Sequence, residues 1–303
     1  MADEPHSILT QVVTKIFQRI IRSEYDYDRD MQSLQDMLKR ANKLNLPTLE
    51  RRVLNCMAAL NLMSGHLDQA EEAYQQLYQL HEAAGQEQMM VVPLSNLAVI
   101  SRVQGDFTAA LTVYDRGIKL LTDSIERNIR AYLALSVGKI ATLTHLFRFQ
   151  DAKQLFQEIS QQADKVVEID ALEYARIIVE AQICMVMVAL HEGNTEEAED
   201  FARQALERTE QLNLPVEQAS ATFALGRVAL HTSEENNAKT FFEKGVSLLE
   251  ATSPSVSVAD AYLQEARLLD HLGHKDSANT FLSKAVAIFT QMGIEDAQRY
   301  AHL

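Results

Sequence analysis

Apolar residues recur along this chain with the period of a helix surface, three and four positions apart. The opening segment shows the pattern at once: Ile8-Leu9, Val12-Val13, Ile16-Phe17 and Ile20-Ile21, with Lys15, Arg19 and Arg22 on other faces. Such a basic amphipathic helix can lie on a membrane or dock on a partner. The pattern that continues directly from it favours burial against its own neighbouring helix. The periodic stretches predict seven helix pairs, over 7–23/27–44, 47–64/67–84, 87–104/107–121, 125–146/149–164, 170–192/195–212, 215–232/235–251 and 254–272/275–292. A short capping helix is expected over 294–302.

The stops and starts repeat as well. Gly65 to Ala70, Gly105 to Ala110, Gly193 to Ala198 and Gly273 to Ala278 share one pattern. The segments Phe147 to Ala152 and Ser233 to Ala238 keep the alanine and lose the glycine. The six alanines lie 40, 42, 46, 40 and 40 residues apart, a regularity that marks an internal repeat. The chemistry is that of a tight helical hairpin. Gly suits the left-handed residue that ends a helix. Asp, Asn, Thr or Ser just after it can cap the next one. The alanine fits where two helices cross closely. Four residues later comes Tyr74, Tyr114, Phe156, Phe242 or Leu282, with Ala202 as the exception, so both residues face one buried side. Pro47, Pro215 and Pro254 stand at expected helix starts. Pro93 falls inside one and should kink it or delay its start.

This order of small residue, turn, alanine and aromatic resembles the tetratricopeptide repeat in its longer form of about 40 residues. The later small residues Ala205, Gly245 and Ala285 match the repeat's second half. The first half departs from it: Ala58, Ala98, Ile140, Val186, Gly226 and Ala266 stand where the family often has Gly, and Trp is absent. The resemblance implies an all-α fold, a right-handed α-solenoid of about seven antiparallel helix pairs. It runs as a single domain over 1–303, with 294–303 as the cap.

Composition agrees. Ten Gly and five Pro in 303 residues are too few for the turns of a β-rich fold. Hydrophobic residues at 47% exclude general disorder. Forty-two acids against 28 bases give a net charge of −14, with no basic stripe, so nucleic acid is not an expected partner. Cys56 and Cys184 form neither a disulfide framework nor a zinc pattern and suit a reducing compartment. No secretory leader and no 18-residue apolar span is visible, so the expected location is cytoplasmic.

Candidate chemistry is sparse. No nucleophile elbow, phosphate loop, dinucleotide fingerprint, paired-cysteine or zinc-protease motif occurs, so no enzyme, cofactor or metal is expected. His145, His191, His231 and His271 each stand seven residues before a repeat alanine. They read either as a pH- or metal-sensing ladder or as polar rings suited to helix C-termini. Neighbouring repeats lie about 10 Å apart, which is too far for one zinc to collect three of them. The family's carboxylate clamp needs Lys and Asn four apart on a first helix. Only Lys275 and Asn279 have that spacing, and they fall on a second helix.

The resemblance also implies a concave groove lined from the first helix of each pair. Carried over by position, Arg52, Asn55, Val92, Arg102, Val137, Met187, Phe223, Arg227 and Arg267 line it, with His231 and His271 one turn beyond the last two. The expected function is a non-enzymatic adaptor that binds a protein or peptide, with an acidic or apolar segment, through Asn55, Arg102, Val137, Met187, Phe223, Arg227, His231, Arg267 and His271. The alternative is a sensing module whose solenoid changes shape on binding. At the C-terminus, either tight docking of 294–302 or a homodimer through the last pair is expected.

Overall fold

A computed structural model describes residues 3–21, 24–122, 125, 128–163, 171–294 and 297–300. Among them are fourteen α-helices and no strand. The chain divides into two compact units, residues 1–100 and 101–303.

The first unit holds α1 (Asp3–Ile21), α2 (Tyr27–Lys43), α3 (Pro47–Met63) and α4 (Leu67–Ala83). A 3-10 turn (Glu87–Met90) follows, then the body of α5 (Val91–Val103). Pro93 is the third residue of α5, so it delays the helix: the turn ahead of it replaces the α-helical start expected at 87. Proline has no N–H to give and is tolerated in a first turn. The apolar stripe of α1 closes on its neighbours through Val13, Ile16 and Ile20, packed with Leu34, Leu49 and Val53. Ile8 and Val12 stay exposed. Asp30 is buried and accepts from Arg19 (2.6 Å) and Arg29 (3.2 Å). Burial alone would raise its pKa, but these donors hold it below the usual carboxylate value.

The second unit begins with the last residues of α5. It continues through α6 (Phe107–Leu121), α7 (Ile129–His145), α8 (Phe149–Ala163), α9 (Ala171–His191), α10 (Thr195–Gln211), α11 (Pro215–His231), α12 (Glu235–Glu250), α13 (Val256–His271) and α14 (Lys275–Gln291). Each first helix packs on its own second helix, and α7, α9, α11 and α13 also pack on one another in succession. That is the stacking the repeat predicts. Helix α13 starts at Val256 under a cap from Ser255, whose hydroxyl accepts from the Val258 amide, so Pro254 stays outside it. The expected terminal helix is a 3-10 turn at Ala297–Tyr300, packed on α14. Phe281, Val286 and Phe289 of α14 are buried, and Leu282, Ile288 and Met292 are half-buried.

The repeat residues behave as their chemistry requires. Ala70, Ala110, Ala152, Ala198, Ala238 and Ala278 are at most 1% exposed. Tyr74 and Tyr114 are buried, whereas Phe156, Phe242 and Leu282 are only half-buried. Asp106 and Asn194 cap α6 and α10 by accepting from the amides of Ala109 and Glu197. The helix-ending glycines at 65, 105, 193 and 273 have φ between 74° and 85°. Where the glycine is missing the backbone keeps the same bend: Phe147 has φ 55° and Ser233 φ 62°. A bulky residue in that region is strained.

Candidate functional site

In the second unit the expected groove positions are turned inward. Val137, Met187 and Phe223 are each at most 2% exposed and belong to the core. Phe223 meets the Phe281 ring edge-on with centroids 5.0 Å apart. Successive first helices here press these side chains between them, so they offer no surface to a ligand. Arg102 is buried and pairs with Glu180 at 2.9 Å. Its burial opposes the charge, and Glu180, Tyr114 and Asp260 more than restore it. Arg227 is 1% exposed and is ion-paired to the equally buried Glu265. Arg227 Nε and Nη2 and Glu265 Oε1 have no other partner.

Arg267 has different partners from Arg227. Its guanidinium donates to the carbonyls of Arg102 and Val103, both at 3.3 Å, and lies 5.1 Å from the centroid of Phe107. These carbonyls belong to the last turn of α5, where a helix leaves acceptors unsatisfied. A Cβ at Gly105 would come within 3.1 Å of Arg267 Nη2, in a residue with φ 83°. Glycine is therefore needed there both for the turn and for the approach of the guanidinium. Arg227 and Arg267, expected to line the groove, are both buried, each with a partner far away in sequence.

The four histidines end α7, α9, α11 and α13. Three of them meet aromatic rings, two stacked and His191 tilted at 37°. His145 lies on Phe107 (4.8 Å, 14° between planes), His191 on Phe149 (4.5 Å) and His271 on Phe147 (3.6 Å, 17°). His231 is exposed at the end of α11. Burial, with Arg102 and Arg267 nearby, pushes the His145 pKa down to about 3. Burial and the neighbouring His191 also lower His271. Among the described residues no group of three metal-ligating side chains comes together. Glu180 is a groove position by the repeat register, whereas Phe147 was not expected among the site residues, though a bulky residue in a glycine position was a visible sign of it.

The first unit does hold an open site. A cavity of about 460 Å³ lies between α1, α3, α4 and the start of α5. Its walls include Phe17, Arg51, Arg52, Asn55, Leu77 and Met89. Arg52, Asn55 and Val92 are groove positions the repeat register supplies, and they share this cavity. Asn55 Oδ1 is buried with no hydrogen-bond partner. Met89 and Val92 are 58% and 52% exposed. His81 Nδ1 and Gln86 Oε1, 2.9 Å apart, close one end.

Comparison with solved structures places this architecture. NprR in complex with its cognate peptide NprX aligns with TM-score 0.65 at 14% identity, covering 98% of this chain and 82% of that one. A Rap protein complexed with competence and sporulation factor aligns with TM-score 0.64 at 14% identity, covering 97% and 84%. A tetratricopeptide repeat protein from Parabacteroides merdae aligns with TM-score 0.57 at 15% identity, covering 97% and 98%.

The fold is that of tetratricopeptide-repeat proteins.

At these identities the likeness is one of fold. No protein-family model matches the sequence, and no curated protein matches it.

Proposed function

We propose that this chain is a non-enzymatic binding module that receives a peptide segment of its partner in the cavity of its first unit, between α1, α3, α4 and the start of α5. The observation that carries this reading is the cavity beside α3. Its volume falls in the range of ligand sites, its rim exposes Met89 and Val92, and Asn55 presents an acceptor with no partner. One solved structure of this fold, NprR, holds its cognate peptide NprX, and another is a Rap protein complexed with competence and sporulation factor. Of the sequence-derived site residues, Asn55 is therefore the one assigned to ligand contact. Two free cysteines fit a reducing, cytoplasmic setting. Among the described residues no helix is long and apolar enough to cross a membrane. The repeat register runs through both units and supports one solenoid over 1–303.

A second reading has its own observation. Contacts of α13 with the last turn of α5 and with α11 hold Arg267 and Arg227 buried. A ligand that binds the opened form better would shift the population toward it, which is the behaviour of a sensor.

The test is selection of random dodecapeptides on the full chain, followed by calorimetry and mass spectrometry of the bound peptide. Saturable one-to-one binding of an unmodified peptide is expected. Failure to enrich any sequence, or cleavage of the peptide, overturns the proposal.

A further inference from the structure

The cavity of the first unit has a charge out of keeping with its chain. The protein carries 42 acidic residues against 28 basic ones. None of the thirteen residues around this cavity is Asp or Glu, whereas Arg51, Arg52 and His81 are among them. Neither Arg51 nor Arg52 is ion-paired among the described residues. Three other arginines each meet a carboxylate: Arg19 meets Asp30, Arg102 meets Glu180 and Arg227 meets Glu265. Two uncompensated guanidiniums beside an apolar floor of Phe17, Leu77 and Met89 therefore form a site with a defined preference.

We propose that this cavity selects a peptide segment combining aliphatic side chains with a carboxylate, and that Arg51 and Arg52 supply that selection. The occupant is a peptide, so the inference rests on the binding reading above and adds its ligand class. The aliphatic side chains cover Met89 and Val92, surface that water otherwise wets. The guanidinium forks receive the carboxylate, whose planar geometry they match. Asn55 Oδ1 accepts an N–H from the ligand, which relieves the cost of an unpaired buried acceptor. The net charge of −14 repels an acidic peptide from most of the surface. The two arginines thus decide where such a peptide can settle. A basic peptide would place its charge against the same guanidiniums.

The experiment is the same random dodecapeptide selection, now read by composition and by site. Recovered sequences are expected to be enriched in Asp or Glu together with Leu, Ile, Val, Met or Phe. The best of them, fluorescein-labelled, should bind the intact chain saturably and lose at least tenfold in affinity in the Arg51→Glu/Arg52→Glu variant. The milder Arg51→Gln/Arg52→Gln variant should fall between, and circular dichroism should show both folded. Affinity should also fall as salt rises, because part of the attraction is between partly exposed charges. Peptides enriched in Lys or Arg, purely apolar peptides, or binding untouched by both variants would overturn this assignment while leaving peptide binding itself intact. Recovery of no peptide at all overturns both.

Discussion

Arg267 donates to the backbone carbonyl of Arg102 at 3.3 Å across a separation of 165 residues. A second bond to the Val103 carbonyl and the ring of Phe107 complete its surroundings. The last first-helix of the second unit is in this way tied to the unit's opening turn. Replacing Arg267 with Met removes both bonds and returns the α5 carbonyls to water. Amides of residues 268–274 and 105–108 should then exchange with deuterium faster, while those of α10 stay as they are. Uniform exchange in the variant and the parent would show that the tie holds nothing.

The Arg227–Glu265 pair makes a different prediction. Burial pushes the Glu265 pKa up and Arg227 counters it. Arg227→Met strands a buried carboxylate and should cost about 3–5 kcal/mol in urea unfolding. Arg227→Met combined with Glu265→Leu removes both charges from an apolar surrounding and should recover most of that loss. A double variant as unstable as the single one would mean the pair is held by more than charge compensation.

His145 predicts a pH dependence. Its pKa in the fold is about 3, against about 6.5 in an unfolded chain. Between these values the unfolded chain binds a proton and the folded one does not. The group's contribution is therefore intact above pH 6.5 and is lost as pH falls toward 3, by up to about 1.4 kcal/mol per pH unit. Asp260 and Glu265 act in the opposite sense. Burial raises their pKa values, so the fold takes up their protons first and acid favours it. The histidine is isolated by comparing the parent with His145→Gln. The stability difference between them should move by about 2 kcal/mol in favour of the variant from pH 7.5 to pH 5. An unchanged difference would place the imidazole in contact with water.

The two turns without glycine give a matched pair. Ser233 is exposed with φ 62°, and Ser233→Gly should stabilise by about 1 kcal/mol through relief of the left-handed strain. Phe147 has φ 55° but also stacks on His271. Phe147→Gly gains the same relief and loses the ring contact, so its net effect should fall below that of Ser233→Gly. Phe147→Ala keeps the strain and loses the ring, and should be the least stable of the three in thermal unfolding. A Phe147→Gly gain equal to that of Ser233→Gly would show that the stack is neutral.

The sequence alone determined the fold, because its signals are local. Helix period, the left-handed turn residue, the cap and the close-packed alanine all act within about ten residues, and burial of all six alanines follows from that register. The histidines at helix ends were legible for the same reason. Which groove positions stay open was decided only by the tertiary structure. Arg267 and Arg102 share no local signal, and no spacing shows that one guanidinium will reach the other's carbonyl. The burial of Glu265 with Arg227 depends on how α11 meets α13. Gly226 and Gly245 stand at small-residue positions of the repeat, which does not say what they leave room for. In the fold, Gly226 leaves room for the ring of Phe242, 2.8 Å from where a Cβ would stand, and Gly245 does the same for Phe223. The cavity beside Asn55 likewise exists because Pro93 shifts the start of α5 and leaves Met89 and Val92 exposed at its rim. Local chemistry sets the elements, and the long-range partners of a few charged and bulky side chains set which faces remain for a ligand.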